Sequence, residues 1–192
     1  MGTPTTQNNR NTTKYSAGIL PYSIHNGTVH FLLGKDTRED CWADFGGKAE
    51  TSDQNNIHMT ACREFYEETC GSILSYDNIL YKLINNNETD KVIKSTTLSG
   101  LPYYMYLVHI PYVNYKHTFY KIHSLLNYID FKKAKYFEKN DLRWIEKSVL
   151  LSSNDNTSLK LRHVFKKTIQ LGNDIINNIH AEKHNNEIQS IY

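Results

Sequence analysis

Cysteine is scarce in this sequence. Three residues, Cys41, Cys62 and Cys70, among 192 are too few and too odd in number for a disulfide scaffold, which points to a reducing, cytoplasmic setting. Long apolar runs are missing as well. No stretch approaches the roughly 18 unbroken apolar residues of a membrane helix, so an integral helical membrane protein is excluded. Charge of one sign is not in excess: 22 Lys and Arg face 20 Asp and Glu, a net of +2. That excludes a module held on nucleic acid mainly by a strong positive field. Proline is rare, 4 residues against 14 tyrosines. With the frequent Asn, Ile and Lys, this is the bias of an AT-rich genome and carries no mechanism. No internal repeat is present, which excludes a solenoid.

What is there suffices for one core. With 39% hydrophobic residues, the length suits a single domain with tails. Residues 1–14 are polar and aperiodic and read as a disordered tail. They hold no apolar stretch that would make a secretory signal. Gly2 after Met1, with Thr6 behind it, matches a myristoylation pattern that is common by chance. Residues 15–180 form the expected domain, and 181–192 a second polar tail.

Within 15–180 the pattern changes often. Ser16–Ser23 and Thr28–Leu33 read as strands joined by a hairpin turn at Asn26–Gly27. Lys35–Cys41 is a charged loop, and Cys41–Phe45 a short strand ending at Gly46–Gly47. Ile57–Thr69 reads as a helix. Lys91–Leu98 and Tyr103–Ile110 are strands joined through Ser99–Pro102. Tyr120–Tyr128 is a short helix, Leu142–Glu146 a short strand, and Leu159–His180 one long closing helix. Clustered strands with separate helices give an α+β class with a mixed sheet.

The chemistry is concentrated in residues 46–71, GGKAETSDQNNIHMTACREFYEETCG. On a helix, Glu64, Glu67 and Glu68 stand at i, i+3 and i+4 and share an arc of about 100°. Like charges at that spacing repel, and a divalent cation would relieve them. All-oxygen ligation suits Mg²⁺ or Mn²⁺ rather than zinc. The stripe alone reads more readily as a solvated acidic face. Two further features favour a site. Gly46 and Gly47 let the backbone approach a metal or phosphate, and Arg63 can orient a carboxylate with two hydrogen bonds. His58, Cys62 and Cys70 read as packing residues. Tyr103–Tyr120 reads as sheet and core, though its rings could stack a base. Lys132, Lys133, Lys135 and Lys139 read as a solvated basic run that could steer phosphates.

Together these residues resemble the Nudix hydrolase family, whose box is G-x5-E-x7-R-E-U-x-E-E-x-G-U, with U apolar. Arg63-Glu64-Phe65-Tyr66-Glu67-Glu68 matches its R-E-U-x-E-E core. Asp44-Phe45-Gly46-Gly47-Lys48 looks like its entry strand and glycine pair. SAGILPY, the hairpin and Arg143-Trp144-Ile145 resemble further elements, so the likeness spans Tyr15 to Leu151. Two departures stand out. Counted from Gly47, the first Glu of the box falls on Asp53, but nine residues rather than seven then precede Arg63. Counted back from Arg63 it falls on Asn55, and Glu50 is a third candidate. Cys70 holds the usual Gly place, so the helix is expected to close one residue late, at Gly71.

The resemblance implies an α/β/α sandwich and hydrolysis of a pyrophosphate bond in a nucleoside diphosphate linked to another moiety. It implies Mg²⁺ or Mn²⁺ on Glu64, Glu67 and Glu68, with Gly46 and Gly47 beside the cofactor. It further implies that Arg63 orients Glu64, and that the general base is Glu68 or a later residue, for which Glu138 stands. Two alternatives accompany it: a viral-type mRNA-decapping enzyme acting on capped RNA, and a nucleotide-binding module that has lost turnover.

Overall fold

The structure, a computed structural model, describes residues 14–85, 91–129, 131, 134–152 and 159–179. Its organising element is β1 (Ser16–His25), hairpinned to β2 (Thr28–Asp36) with Tyr22 opposite Phe31. Asn26 and Gly27 both have positive φ, 49° and 74°, as the tight turn between twisted strands requires. β1 then serves three neighbours. Its first residues pair antiparallel with β4 (Phe45–Lys48), and its length runs parallel to β6 (Pro102–His109). β6 carries β5 (Val92–Thr96) at one edge, and β2 takes β3 (Trp42–Ala43) and β7 (Lys139–Glu146) on the other side. The result is a seven-stranded mixed sheet.

Helices cover both faces, so β1 is apolar on both and lacks the simple alternation of a half-exposed strand. Ala17 and Ile19 face a layer of α1 (Ile57–Glu68), α2 (Tyr76–Asn85) and α3 (Tyr115–Tyr128), packed through Phe45, Phe65 and Phe119. Leu20 and Tyr22 face the opposite layer, α4 (Lys147–Leu151), α5 (His163–Leu171) and α6 (Asn173–Asn177), packed through Phe31 and Phe165. Each such fully buried aromatic ring contributes about 1.5–3 kcal/mol. The expected α+β class and three-layer arrangement are therefore present.

Several local expectations need correction. The closing helix is not long: Leu159–Arg162 is not helical, and Gly172 caps α5 before α6 begins, as its poor helix propensity favours. The Cys41–Phe45 strand is two strands interrupted at Asp44, with the glycine pair inside β4. α3 begins five residues earlier than Tyr120, and β7 three earlier than Leu142. Nor does α1 close late. Cys70 itself adopts the left-handed conformation, φ 53°, while the Cys70 and Gly71 amides bond back to the Glu67 and Tyr66 carbonyls. That pair of bonds is a Schellman closure with a non-glycine residue at its usual glycine place. Gly2 and residues 181–192 lie outside the described residues.

Candidate active site

Asn56 starts α1 by accepting from the His58 and Met59 amides at 3.0 and 3.4 Å, a side-chain cap for otherwise unpaired N–H groups. About two turns further, the Arg63 guanidinium gathers its surroundings. Nε and Nη2 donate to the two oxygens of Asp53 at 2.8 and 2.9 Å. Nη1 donates to Glu64 at 2.8 Å and Glu67 at 3.0 Å, and Nη2 also reaches the Lys48 carbonyl at 2.9 Å. One planar fork thus ties the acidic stripe to the preceding loop.

Of the three candidates for the first carboxylate of the box, Asp53 is the one that meets Arg63 squarely. Asp53 is 2% exposed, and it also accepts from the Glu50 amide and the Thr60 hydroxyl, both at 2.9 Å. Burial alone would raise its pKa, but Arg63 and these donors outweigh it and hold the carboxyl below its usual range. Glu50 stands 3.8 Å from Arg63 and pairs instead with Lys135. Asn55 is exposed and, with Gln54, has positive φ. The extra length before Arg63 thus lies in the loop, while the Arg63 fork ties α1 to Asp53.

The other end of the stripe is buried. The Gly46 amide donates to one Glu68 oxygen at 2.9 Å, and the Lys139 ammonium lies 3.5 Å from the other. Glu68 is 2% exposed and Lys139 1%. Asp44, also buried, accepts from the Tyr103 hydroxyl. The glycine pair permits this closeness, since a Cβ on Gly47 would stand 2.6 Å from the Glu64 carboxylate. Burial pushes the Glu64 carboxyl up to about 7 against the pull of Arg63. Glu68 is pushed up to about 8, again by burial, with Lys139 opposing. The stripe is therefore not the solvated face that spacing alone allowed.

A hard divalent cation fits this donor set. The donors are oxygens, and burial disfavours their charge until more positive charge arrives. Among the described residues, no group of three or more His, Cys, Asp and Glu side chains stands ready-made as a metal site. Glu64 and Glu67 share Arg63 Nη1, and Glu68 is held by Gly46 and Lys139.

The remaining sequence expectations divide. Glu138 is exposed, immediately ahead of Lys139, and its charge reaches Glu64 and Glu68. His58 lies against the Tyr106 ring at 5.1 Å, and Cys62 is fully buried with its thiol pushed up to about 12 by burial. The basic run is not one solvated cluster: Lys135 pairs with Glu50, Lys139 is buried, and Lys132 and Lys133 lie outside the described residues. Sequence reasoning also missed the roles of Asp44 and Tyr103. Behind Gly46 and Gly47 opens a cleft of about 330 Å³, bordered by Lys48, Thr97, Ser99, Arg162 and His163, at the lower end of ligand-pocket sizes.

No family model matches the chain. A 59-residue stretch is 41% identical to uncharacterized protein L534 of Acanthamoeba polyphaga mimivirus, covering 28% of this chain and 19% of that protein. The match thus spans about a fifth of that relative's length. Solved structures that the chain is similar to include Nudix hydrolases and Nudix domains. The NUDIX domain of Shewanella oneidensis NrtR, complexed with ADP ribose, aligns at TM-score 0.49 and 11% identity over 83% of this chain and 86% of that one. A C. elegans Ap4A hydrolase binary complex aligns at 0.43 and 12% over 84% and 92%. The MutT protein from Methanosarcina mazei aligns at 0.46 and 14% over 86% and 95%. At these identities and TM-scores the likeness carries no argument about activity, and function is argued from the chain's own residues. No described helix is long and apolar enough to cross a membrane.

Proposed function

We propose that this chain is a Nudix-type pyrophosphohydrolase, cleaving a nucleoside diphosphate linked to another moiety with Mg²⁺ or Mn²⁺. The observation that carries the reading is the Arg63 fork, which fixes Asp53, Glu64 and Glu67 while Glu68 reaches the Gly46 amide. The residues of the box thereby come together despite the altered spacing. Glu64, Glu67 and Glu68 would hold the cation, which when bound neutralises the pyrophosphate and lowers the pKa of attacking water.

The chain's own residues do the rest. Gly46 and Gly47 have no room for a side chain, since a Cβ would collide with Gly18 and Tyr103 or with Glu64, and their backbone would lie against the scissile group. Arg63 keeps Glu64 and Glu67 in place, so little reorganisation is left for the reaction itself. Glu68, at the buried end of the stripe, and exposed Glu138 would be the two candidates to take a proton from water, in that order. The moiety beyond the pyrophosphate would occupy the cleft beside Lys48 and Arg162. Retention of α1 beside Gly46 supports turnover over a binding-only module.

The test is a panel of nucleoside triphosphates, dinucleoside polyphosphates, nucleotide sugars, ADP ribose and capped RNA, each with Mg²⁺ and Mn²⁺. Metal-dependent release of two phosphate-bearing products from at least one member is expected. Metal-dependent binding without any product would leave the binding module, and product from capped RNA alone would make decapping the activity.

A further inference from the structure

Lys139 is the one lysine or arginine that is buried among the described residues. Lysine is seldom fully buried unless paired, because its ammonium loses hydration it cannot otherwise replace. Here the side chain is 1% exposed, and the ion pair it makes is with Glu68, whose other oxygen is already taken by the Gly46 amide. Its path inward is built. The β2–β7 ladder shifts register at Lys35 and Asp36, so that Asp36 faces Lys139 while Lys35 faces Asp141. This bulge turns Lys139 inward where simple alternation would not. Gly34 then makes room for the stem, since a Cβ there would stand 3.0 Å from Lys139 Cδ and 3.1 Å from Cγ. Nothing lets the side chain snorkel back to water.

Glu68 on α1 lies 3.5 Å from the ammonium. Asp36 is the register partner of Lys139 across the β2–β7 ladder, and buried Asp44, between β3 and β4, also feels its charge. Resting on the hydrolase reading, we propose that Lys139 is a fixed internal cation of the site, taking at Glu68 the place of one divalent ion. The acidic stripe consequently takes one ion fewer than its carboxylates would otherwise demand. Lys139 acts through Glu68, so it is a positioning residue and touches no reacting atom. A lysine buried only for packing would leave the stripe's demand for metal unchanged.

The test measures metal rather than turnover. Mn²⁺ is titrated into wild type, Lys139→Met and Lys139→Arg by calorimetry and by the electron paramagnetic resonance of free Mn²⁺. Thermal midpoints are taken in chelator and in Mn²⁺. Lys139→Met should bind one further Mn²⁺, or bind Mn²⁺ about tenfold more tightly. Its midpoint should fall in chelator and recover in Mn²⁺ by more than the wild type gains. Lys139→Arg should keep the wild-type stoichiometry. If Lys139→Met does not fold without metal, the double variant Glu68→Gln/Lys139→Met replaces it. Removing both charges of the pair should restore folding in chelator.

Mn²⁺ binding by Lys139→Met indistinguishable from wild type, with the same loss of midpoint in chelator and in metal, would overturn the proposal. So would a double variant no more stable than Lys139→Met. Wild type that binds no Mn²⁺ and cleaves nothing would instead overturn the hydrolase reading beneath it.

Discussion

The two ends of the acidic stripe on α1 are held in opposite ways. At one end a single guanidinium serves Asp53, Glu64 and Glu67 at the rim of a loop. At the other a single carboxylate, Glu68, is shut in with one ammonium and one backbone amide. The first arrangement gains from many partners around one cation, whereas the second concentrates the cost of desolvation on one pair. On the proposed reading, the first end fixes geometry and the second holds a charge that a bound cation would satisfy.

The largest effect should come from breaking the first end. Arg63→Ala leaves Asp53, Glu64 and Glu67 without their shared cation in a mostly buried setting. Loss of one partner from such a buried network costs about 3–5 kcal/mol. Chemical denaturation should show that loss, with Arg63→Lys recovering only part of it because an ammonium cannot fork. A loss below about 1 kcal/mol would mean that the fork is a surface contact of the kind that contributes little.

Smaller and opposite effects should separate the two ends by pH in metal-free protein. Asp53 has a depressed folded pKa, so its contribution is present above the unfolded value near 3.8 and is lost as pH falls below it. Glu64 and Glu68 have folded values raised from 4.5 to about 7 and about 8. Whatever they contribute is present below 4.5 and is lost as pH rises towards those values. Stability should therefore decline between pH 5 and 8 without metal, and Glu68→Gln should flatten that decline. Asp53→Asn should instead flatten the loss below pH 4. A decline that survives Glu68→Gln unchanged would place its origin elsewhere.

The same contrast explains what the sequence made legible. Arg63, Glu64, Glu67 and Glu68 lie within two turns of one helix, so spacing alone put the three carboxylates on one face with Arg63 beside them. The hairpin was equally local, carried by Asn26–Gly27. The Glu68 end joins Gly46, Glu68, Lys139 and, nearby, Asp44 and Tyr103, which meet only through sheet pairing and the packing of α1 on the sheet. Lys139 was hidden further by the bulge, because a period of two does not turn it inward. The closing helix failed for a different reason. Its apolar stripe continues through Gly172, and periodicity carries no weight for one residue of poor helix propensity.

The most direct measurement compares pyrophosphate hydrolysis by wild type, Glu67→Gln and Glu68→Gln, with folding of each verified by circular dichroism. Loss of a metal-holding carboxylate should lower turnover on the order of 10³-fold or more while the fold persists. Both variants retaining more than about a tenth of wild-type turnover would contradict the assignment of the stripe as the catalytic centre.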